Sequence, residues 1–170
     1  MKMLFILLLF GLACHAQDAP KLQKKTKAKW KLDGNHIVTG TLIFVGGTCK
    51  GFNETLFFHY KVFAKTFPTA DRKWFDPRSS WLNKYKDRNP DEGPRFPLST
   101  TLFAFTTDQY HLNNFIGRSA IITAVVIKIG EGKKPFKYYL FDFLYYALCY
   151  QAGFALTYYP FSSWAKNKQP

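Results

Sequence analysis

Residues 143–161 are nineteen consecutive positions without a formal charge. This run constrains the chain more than any other feature. An uncharged segment of that length either fills the centre of a protein or crosses a hydrocarbon layer of ~30 Å, which takes a helix of about 20 residues. Tyr138, Tyr139, Tyr158 and Tyr159 stand near its ends, where tyrosine favours a membrane–water interface. Two further apolar stretches precede it. Lys50 and Glu54 interrupt the first, and Asp108, His111 and Arg118 interrupt the second. The pattern predicts an all-α protein with about three apolar membrane helices, near 39–67, 98–129 and 138–161, in one domain over 37–161 and followed by a tail at 162–170. A strand reading also exists, in which the β-branched run Ile121 to Ile127 pairs with Phe136 to Tyr146. Both faces of those segments are apolar, however, whereas a membrane barrel needs alternation.

The N-terminus reads as an address. Met1-Lys2-Met3 is followed by apolar Leu4 to Leu12, too short to span a bilayer but right for a signal-peptide core. Cys14 and Ala16 place small residues before a cleavage site at Ala16-Gln17, so 1–16 is expected to be a signal peptide. Cys14 itself would be the acceptor in a lipoprotein reading. Residues 17–36 form a basic arm, expected to be flexible, with Lys21, Lys24, Lys25, Lys27, Lys29 and Lys31. His36 falls in that arm and His15 in the signal segment, so neither is expected at a site. Six lysines just past a cleavage site resist translocation, but an exported, processed chain with periplasmic exposure, held in the inner membrane of the cell envelope, remains the favoured location. Lys and Arg flanking three spans number ten on one side and eleven on the other, which sets no orientation.

Lys and Arg outnumber Asp and Glu by 24 to 11, and the loop at 68–97 concentrates the excess. There Arg72, Lys73, Arg78, Lys84, Lys86, Arg88 and Arg95 alternate with Trp74, Phe75, Trp81, Tyr85 and Phe96. Basic residues among aromatics suit either single-stranded nucleic acid or anionic lipid head groups. In a chain with apolar spans, lipid is the nearer polyanion, so membrane lipids are the expected partner and nucleic acid is not. Asp76-Pro77 reads as the cap and first position of a short interfacial helix through Tyr85.

Ionisable groups within apolar stretches are costly unless they are paired, and each is a candidate for function. Glu54, His59, Asp108, His111 and Asp142 are the candidates here for catalytic or ion-handling roles. On a helix over 98–129, Thr100, Ala104, Thr107, His111, Asn114 and Arg118 form one polar stripe, with Asp108 beside His111. Asp142, Tyr146, Cys149 and Gly153 form another, of the kind that faces a partner helix. Glu54 and His59, five apart, point away from each other. The set could hold a metal, relay protons, or merely fix helix register. No HExxH, HxxxH, paired-Cys, phosphate-loop or nucleophile-elbow motif accompanies it, and the sequence names neither a metal nor a cofactor. Cys49 and Cys149 would be the cysteines left after cleavage and read as packing residues, with a disulfide between them as the alternative.

Several of these residues follow one order: Gly51-Phe52-Asn53-Glu54-Thr55, His59-Tyr60, Phe67-Pro68, Trp74-Phe75-Asp76-Pro77, Ser80-Trp81-Leu82-Asn83-Lys84-Tyr85-Lys86, Ser99-Thr100-Thr101 and Asp108-Gln109-Tyr110-His111-Leu112. Over roughly residues 50–160 this order resembles a group of small exported or membrane proteins of Bacteroidota that has no assigned activity. The resemblance implies that Glu54, His59, Asp108 and His111 belong to one constellation. Gln109 stands where that pattern has Gly, and Arg118 makes the second stretch more polar than usual. The expected role is an envelope integral membrane protein with an internal Glu/His/Asp cluster, structural or ion-handling. The alternatives are a small membrane-embedded enzyme, metal-dependent or not, acting on lipid or envelope substrates, and a soluble periplasmic binding protein.

Overall fold

The computed structural model describes residues 29–166, and the side chains of 29–163. The expected signal peptide, the Cys14 lipidation site, most of the basic arm and the last residues of the tail lie outside the described residues. The protein is all-α. Three long helices, α1 (Gly34–Phe58), α5 (Gln109–Gly130) and α6 (Phe136–Lys166), carry the fold. Between α1 and α5, three short helices and several 3-10 turns make a cap: α2 (Tyr60–Thr66), α3 (Arg72–Phe75) and α4 (Pro77–Ser80). No strand forms among the described residues apart from one isolated bridge, Tyr85 to Pro94, and the segments that admitted a strand reading are helical.

The helix boundaries follow from side chains that satisfy orphan backbone donors. Asp33 caps α1 by accepting from His36 N at 2.9 Å, and Asp108 caps α5 by accepting from His111 N at 2.9 Å. Asp76 caps α4 through Arg78 N, with Pro77 in the first helical position, as the sequence predicts. The stretch expected as one span over 39–67 is instead two helices, broken at His59. That expected over 98–129 starts only at Gln109, because the Asp108 cap ends the preceding turns. Thr100, Ala104 and Thr107 therefore precede α5, and the stripe through them is not one helix face.

Helix α1 runs down the middle. Its Gly47 and Gly51 face α6, while Gly46, Cys49 and Asn53 face α5. At about 100° per residue these two sets lie on roughly opposite sides of α1. Both outer helices pack on α1 rather than on each other, so the three lie side by side in one layer, α5–α1–α6. Contacts such as Gly46 with Gly117 and Asn53 with Asn113 make α5 antiparallel to α1. Those of His36 with Asp142 and Thr55 with Thr157 make α6 parallel to it.

The α1–α6 seam is unusually close. A Cβ placed on Gly47 would stand 2.9 Å from the Tyr150 carbonyl carbon, and one on Gly51 would stand 3.0 Å from Phe154 Cα. Opposite them, a Cβ on Gly153 would meet Thr48 N at 2.9 Å. Hydroxyls bridge the same seam: Thr55 donates to the Thr157 carbonyl at 2.7 Å, and Thr157 to the Thr48 carbonyl at 3.0 Å. Small residues and hydroxyls are how helices approach when apolar burial does not drive them together. Cys49 lies on the α5 side, and Cys49 and Cys149 are free thiols.

Burial is inverted relative to a water-soluble bundle. The buried polar side chains include His36, Thr39, Asn53, Thr55, Asp108, Asn113 and Asp142, whereas the buried hydrophobic ones are Leu56, Phe63, Ala120 and Ala124. Large apolar side chains stand outward on both outer helices; Ile122 is 62 % exposed, Phe143 66 % and Leu148 71 %. By length and composition, one helix among the described residues, α5, is long and apolar enough to cross a membrane. That corrects the expected ranking of about three spans headed by 138–161: tyrosines at 145, 146, 150, 158 and 159, with Gln151, dilute the hydropathy of α6 despite its freedom from charge.

Gly153→Leu is expected to destabilise the fold by ~3 kcal/mol or more, since the seam has no room to relax. Gly34→Ala, where nothing lies within 4 Å, should leave stability unchanged or raise it by about 0.5 kcal/mol. Denaturant unfolding of the two variants checks the contrast.

Candidate functional site

The polar residues assemble at the two ends of α1, about 26 Å apart at ~1.5 Å per residue. At its N-terminal end the centre is His36. Its ring is buried, with Nδ1 2.7 Å from Asp33 Oδ1 and Nε2 2.9 Å from Asp142 Oδ1. An imidazolium would donate one N–H to each carboxylate. Trp30 Nε1 donates to the same Asp142 oxygen at 2.8 Å, while Lys134 and Lys128 stand 3.4 and 3.8 Å from Asp142 Oδ2. Glu131 ties the two lysines together, accepting from Lys128 at 2.6 Å and from Lys134. One turn further along, Thr39 and Tyr146 share a hydrogen bond of 2.7 Å, and Tyr145 donates to the His36 carbonyl.

This end corrects the sequence reading of His36 as a residue of a flexible arm. Residues 34–36 are helical, and His36 joins α1 to α6. The signal was present in Asp33, which sits three residues before His36 as a helix cap does, but an N-terminal run of lysines obscured it. The stripe Asp142, Tyr146 and Gly153 does face a partner helix, and that partner is α1. Of the expected candidates, Asp142 alone lies at this end. Burial pushes Glu131 up, but the lysine ammonium groups outweigh it and hold the carboxyl below the usual range. Burial lowers Lys134, and its bond to Glu131, with the charge of Asp142 nearby, more than restores it.

At the other end an amide chain connects the cap to α5 and α1. Trp74 Nε1 donates to Gln109 Oε1 at 3.0 Å, Gln109 to Asn113 at 2.8 Å, Asn113 to Asn53 at 2.9 Å, and Asn53 to Asn114 at 3.2 Å. Sequence reasoning missed this network, since neutral amides carry no signature of their own. Gln109, which departs from the resembled pattern, is its hinge between cap and helix. Phe63, 3 % exposed, packs with Phe52, Phe67, Phe75 and Phe161 and closes the same end.

Asp108 and His111 meet, though as a cap and not as two residues on one helical face. The buried Asp108 carboxylate takes the His111 backbone N–H, its ring Nδ1 at 2.7 Å, and the Thr107 hydroxyl at 3.1 Å. Burial pushes this carboxyl up, and those hydrogen bonds prevail, holding it below the usual range. Glu54 pairs instead with Lys50 one turn back on α1, and His59 lies 3.3 Å from the Tyr158 hydroxyl. Among the described residues no three His, Cys, Asp or Glu side chains converge as a metal-holding group. His36 and Asp142 link α1 to α6 and Asp108 with His111 caps α5, whereas Glu54 and Lys50 pair within α1.

The basic loop divides. Arg72 pairs with Asp76 at 3.1 Å, and Arg78 and Lys86 are exposed. Lys84 lies over the Tyr85 ring, 5.9 Å from its centroid. Lys73, Arg88 and Arg95 line a common polar cavity of about 400 Å³. A second cavity, about 500 Å³ and largely apolar, opens between α5 and α6 over Ile43, with Lys128, Lys133 and Lys134 among its lining residues.

Against family models, curated proteins and solved structures alike, the chain finds no match.

Asp142→Ala takes the acceptor from His36 Nε2 and Trp30 Nε1, the two lysines keeping Glu131, and is expected to cost ~3 kcal/mol, whereas Glu54→Ala releases only an exposed lysine and should cost ~1 kcal/mol or less. Chemical denaturation of both variants separates them. Because Asp108 is depressed in the folded state, its contribution is complete above about pH 4 and is lost as pH falls through the folded value. Asp108→Asn should flatten the acid limb of a stability–pH curve below about pH 4.

Proposed function

We propose that this chain is an integral membrane protein of the cell envelope whose buried polar residues are interhelical staples, and whose basic cap lies against lipid head groups. The observation that carries this reading is the inversion of burial. A single layer of helices has no second layer to cover its faces, and a water-soluble domain needs one. Here the groups kept from solvent are hydroxyls, amides, His36 and carboxylates, while large apolar side chains on α5 and α6 face out. In hydrocarbon that distribution is favourable, because outward apolar groups meet lipid and inward polar groups satisfy one another. All three long helices would then lie in the bilayer, α1 and α6 being sheltered by their polar seams and by interfacial tyrosines. The apolar opening between α5 and α6 supports the same placement, since an acyl chain can fill it.

Staples fit the site better than catalysis. Glu54, His59, Asp108, His111 and Asp142 fall into separate pairs at two ends of a long helix, which suits the fixing of helix register. Arg72, Lys73, Arg78, Lys84, Lys86, Arg88 and Arg95, carried by the cap at one end of the layer, would meet anionic head groups, each charge contributing about 1 kcal/mol near a charged surface. The resemblance to exported or membrane proteins of Bacteroidota accords with this role.

Fractionation of a C-terminally tagged chain tests it. Retention in the membrane pellet through an alkaline carbonate wash is the expected result, with a product mass lacking residues 1–16. Release to the supernatant overturns the membrane reading and leaves the outward apolar faces as contacts for other protein.

A further inference from the structure

The cap cavity of about 400 Å³ brings together Lys73, Arg88 and Arg95, and among the described residues none of the three takes part in an ion pair. Arg88 is held in place by Nη2, which donates to the Ser79 carbonyl at 2.8 Å, while its Nη1 is buried without an acceptor. A buried donor left unpaired is rare in folded proteins and calls for an explanation. The backbone there is also unusual: Asp87 and Arg88 sit side by side in the left-handed region, at φ 50° and 60°, which neither residue adopts cheaply. Strain of this kind persists where the surrounding structure fixes a side chain for a purpose.

Two carboxylates, Asp71 and Asp87, line the same cavity and likewise lack ion pairs. A simple anion would meet them as repulsion. A ligand with a phosphate and an ammonium group would satisfy both signs, the phosphate taking the guanidinium and ammonium donors and the amine taking the carboxylates. Aromatic rings complete the lining. Trp74 is pinned by its bond to Gln109, so that wall stands ready, and ring faces attract a cation.

We propose that this cavity is a binding site for an amine-bearing phosphate ester: phosphoethanolamine, either as the head group of a phospholipid or as the free compound. The site belongs to the cap and does not depend on whether the long helices span a bilayer.

The test uses the full chain purified in nonionic detergent. Calorimetric titration with free phosphoethanolamine and with inorganic phosphate reads the soluble source. Native mass spectrometry with phosphatidylethanolamine and phosphatidylglycerol reads the lipid source. Lys73→Gln and Arg95→Gln remove exposed cations whose side chains make no hydrogen bond among the described residues, and each should weaken binding about tenfold. Arg95→Lys should lose less, and Lys86→Gln, outside the cavity, should change nothing. Unfolding curves matching the parent confirm that the variants are folded. Preference for the amine-bearing ester, free or in lipid form, with this pattern of losses, supports the site and identifies its source. Absence of binding in both forms, binding of inorganic phosphate as tight as that of the ester, or affinity indifferent to Lys73→Gln and Arg95→Gln overturns it. Carbonate extraction reads the membrane placement separately, so the two ideas can fail independently.

Discussion

Contact between α1 and α6 across Gly47, Gly51 and Gly153 is the constraint on which the rest of the structure depends. Bringing two backbones to this distance removes side chains from the seam and lets hydroxyls reach across to carbonyls, as Thr55 and Thr157 do. It also fixes register. Gly47 lies against Tyr150, and the same two helices bring His36 to Asp142 and Thr39 to Tyr146 nearer the N-terminal end of α1. The ionic cluster at one end bridges the same two helices, while the amide chain at the other joins α1 to α5.

A second consequence is the flat arrangement. Helix α1 presents Gly47 and Gly51 to one neighbour and Gly46 and Asn53 to the other, so it lies between α5 and α6, which meet through Lys128 near the tight turn 131–135. Layers one helix thick are poor solutions in water, where apolar faces need cover. They are acceptable in hydrocarbon, where dispersion, small residues and hydrogen bonds hold helices together. The polar clusters sit at the ends of the layer, which is where water and head groups would reach them under the proposed placement.

The sequence disclosed the helical character, the Asp76-Pro77 helix start, the Asp108–His111 pairing and the inward face of α6. Each rests on local spacing, which a single chain displays. Harder to read was the break at His59, since it follows from packing of α2 on the Phe63 cluster and leaves no proline or glycine behind. His36 was hidden because its partner Asp142 lies 106 residues away and its neighbours are lysines. Charge-free length overstated residues 138–161: counting charges ignores how much polarity five tyrosines and a glutamine add. The cap cavity was legible only as a list of basic residues. Selecting Lys73, Arg88 and Arg95 from that list took the turn geometry at Asp87 and Arg88.

Under the proposed placement the outward faces of α5 and α6 meet hydrocarbon while the seam against α1 is closed to it. Spin labels placed singly at Ile122, Val126, Leu144 and Leu148 of chain reconstituted in lipid vesicles address it most directly, by collision with oxygen and with a water-soluble nickel chelate. High oxygen and low chelate accessibility are expected at all four positions. High chelate accessibility along both helices would contradict it, since those faces would then be in water.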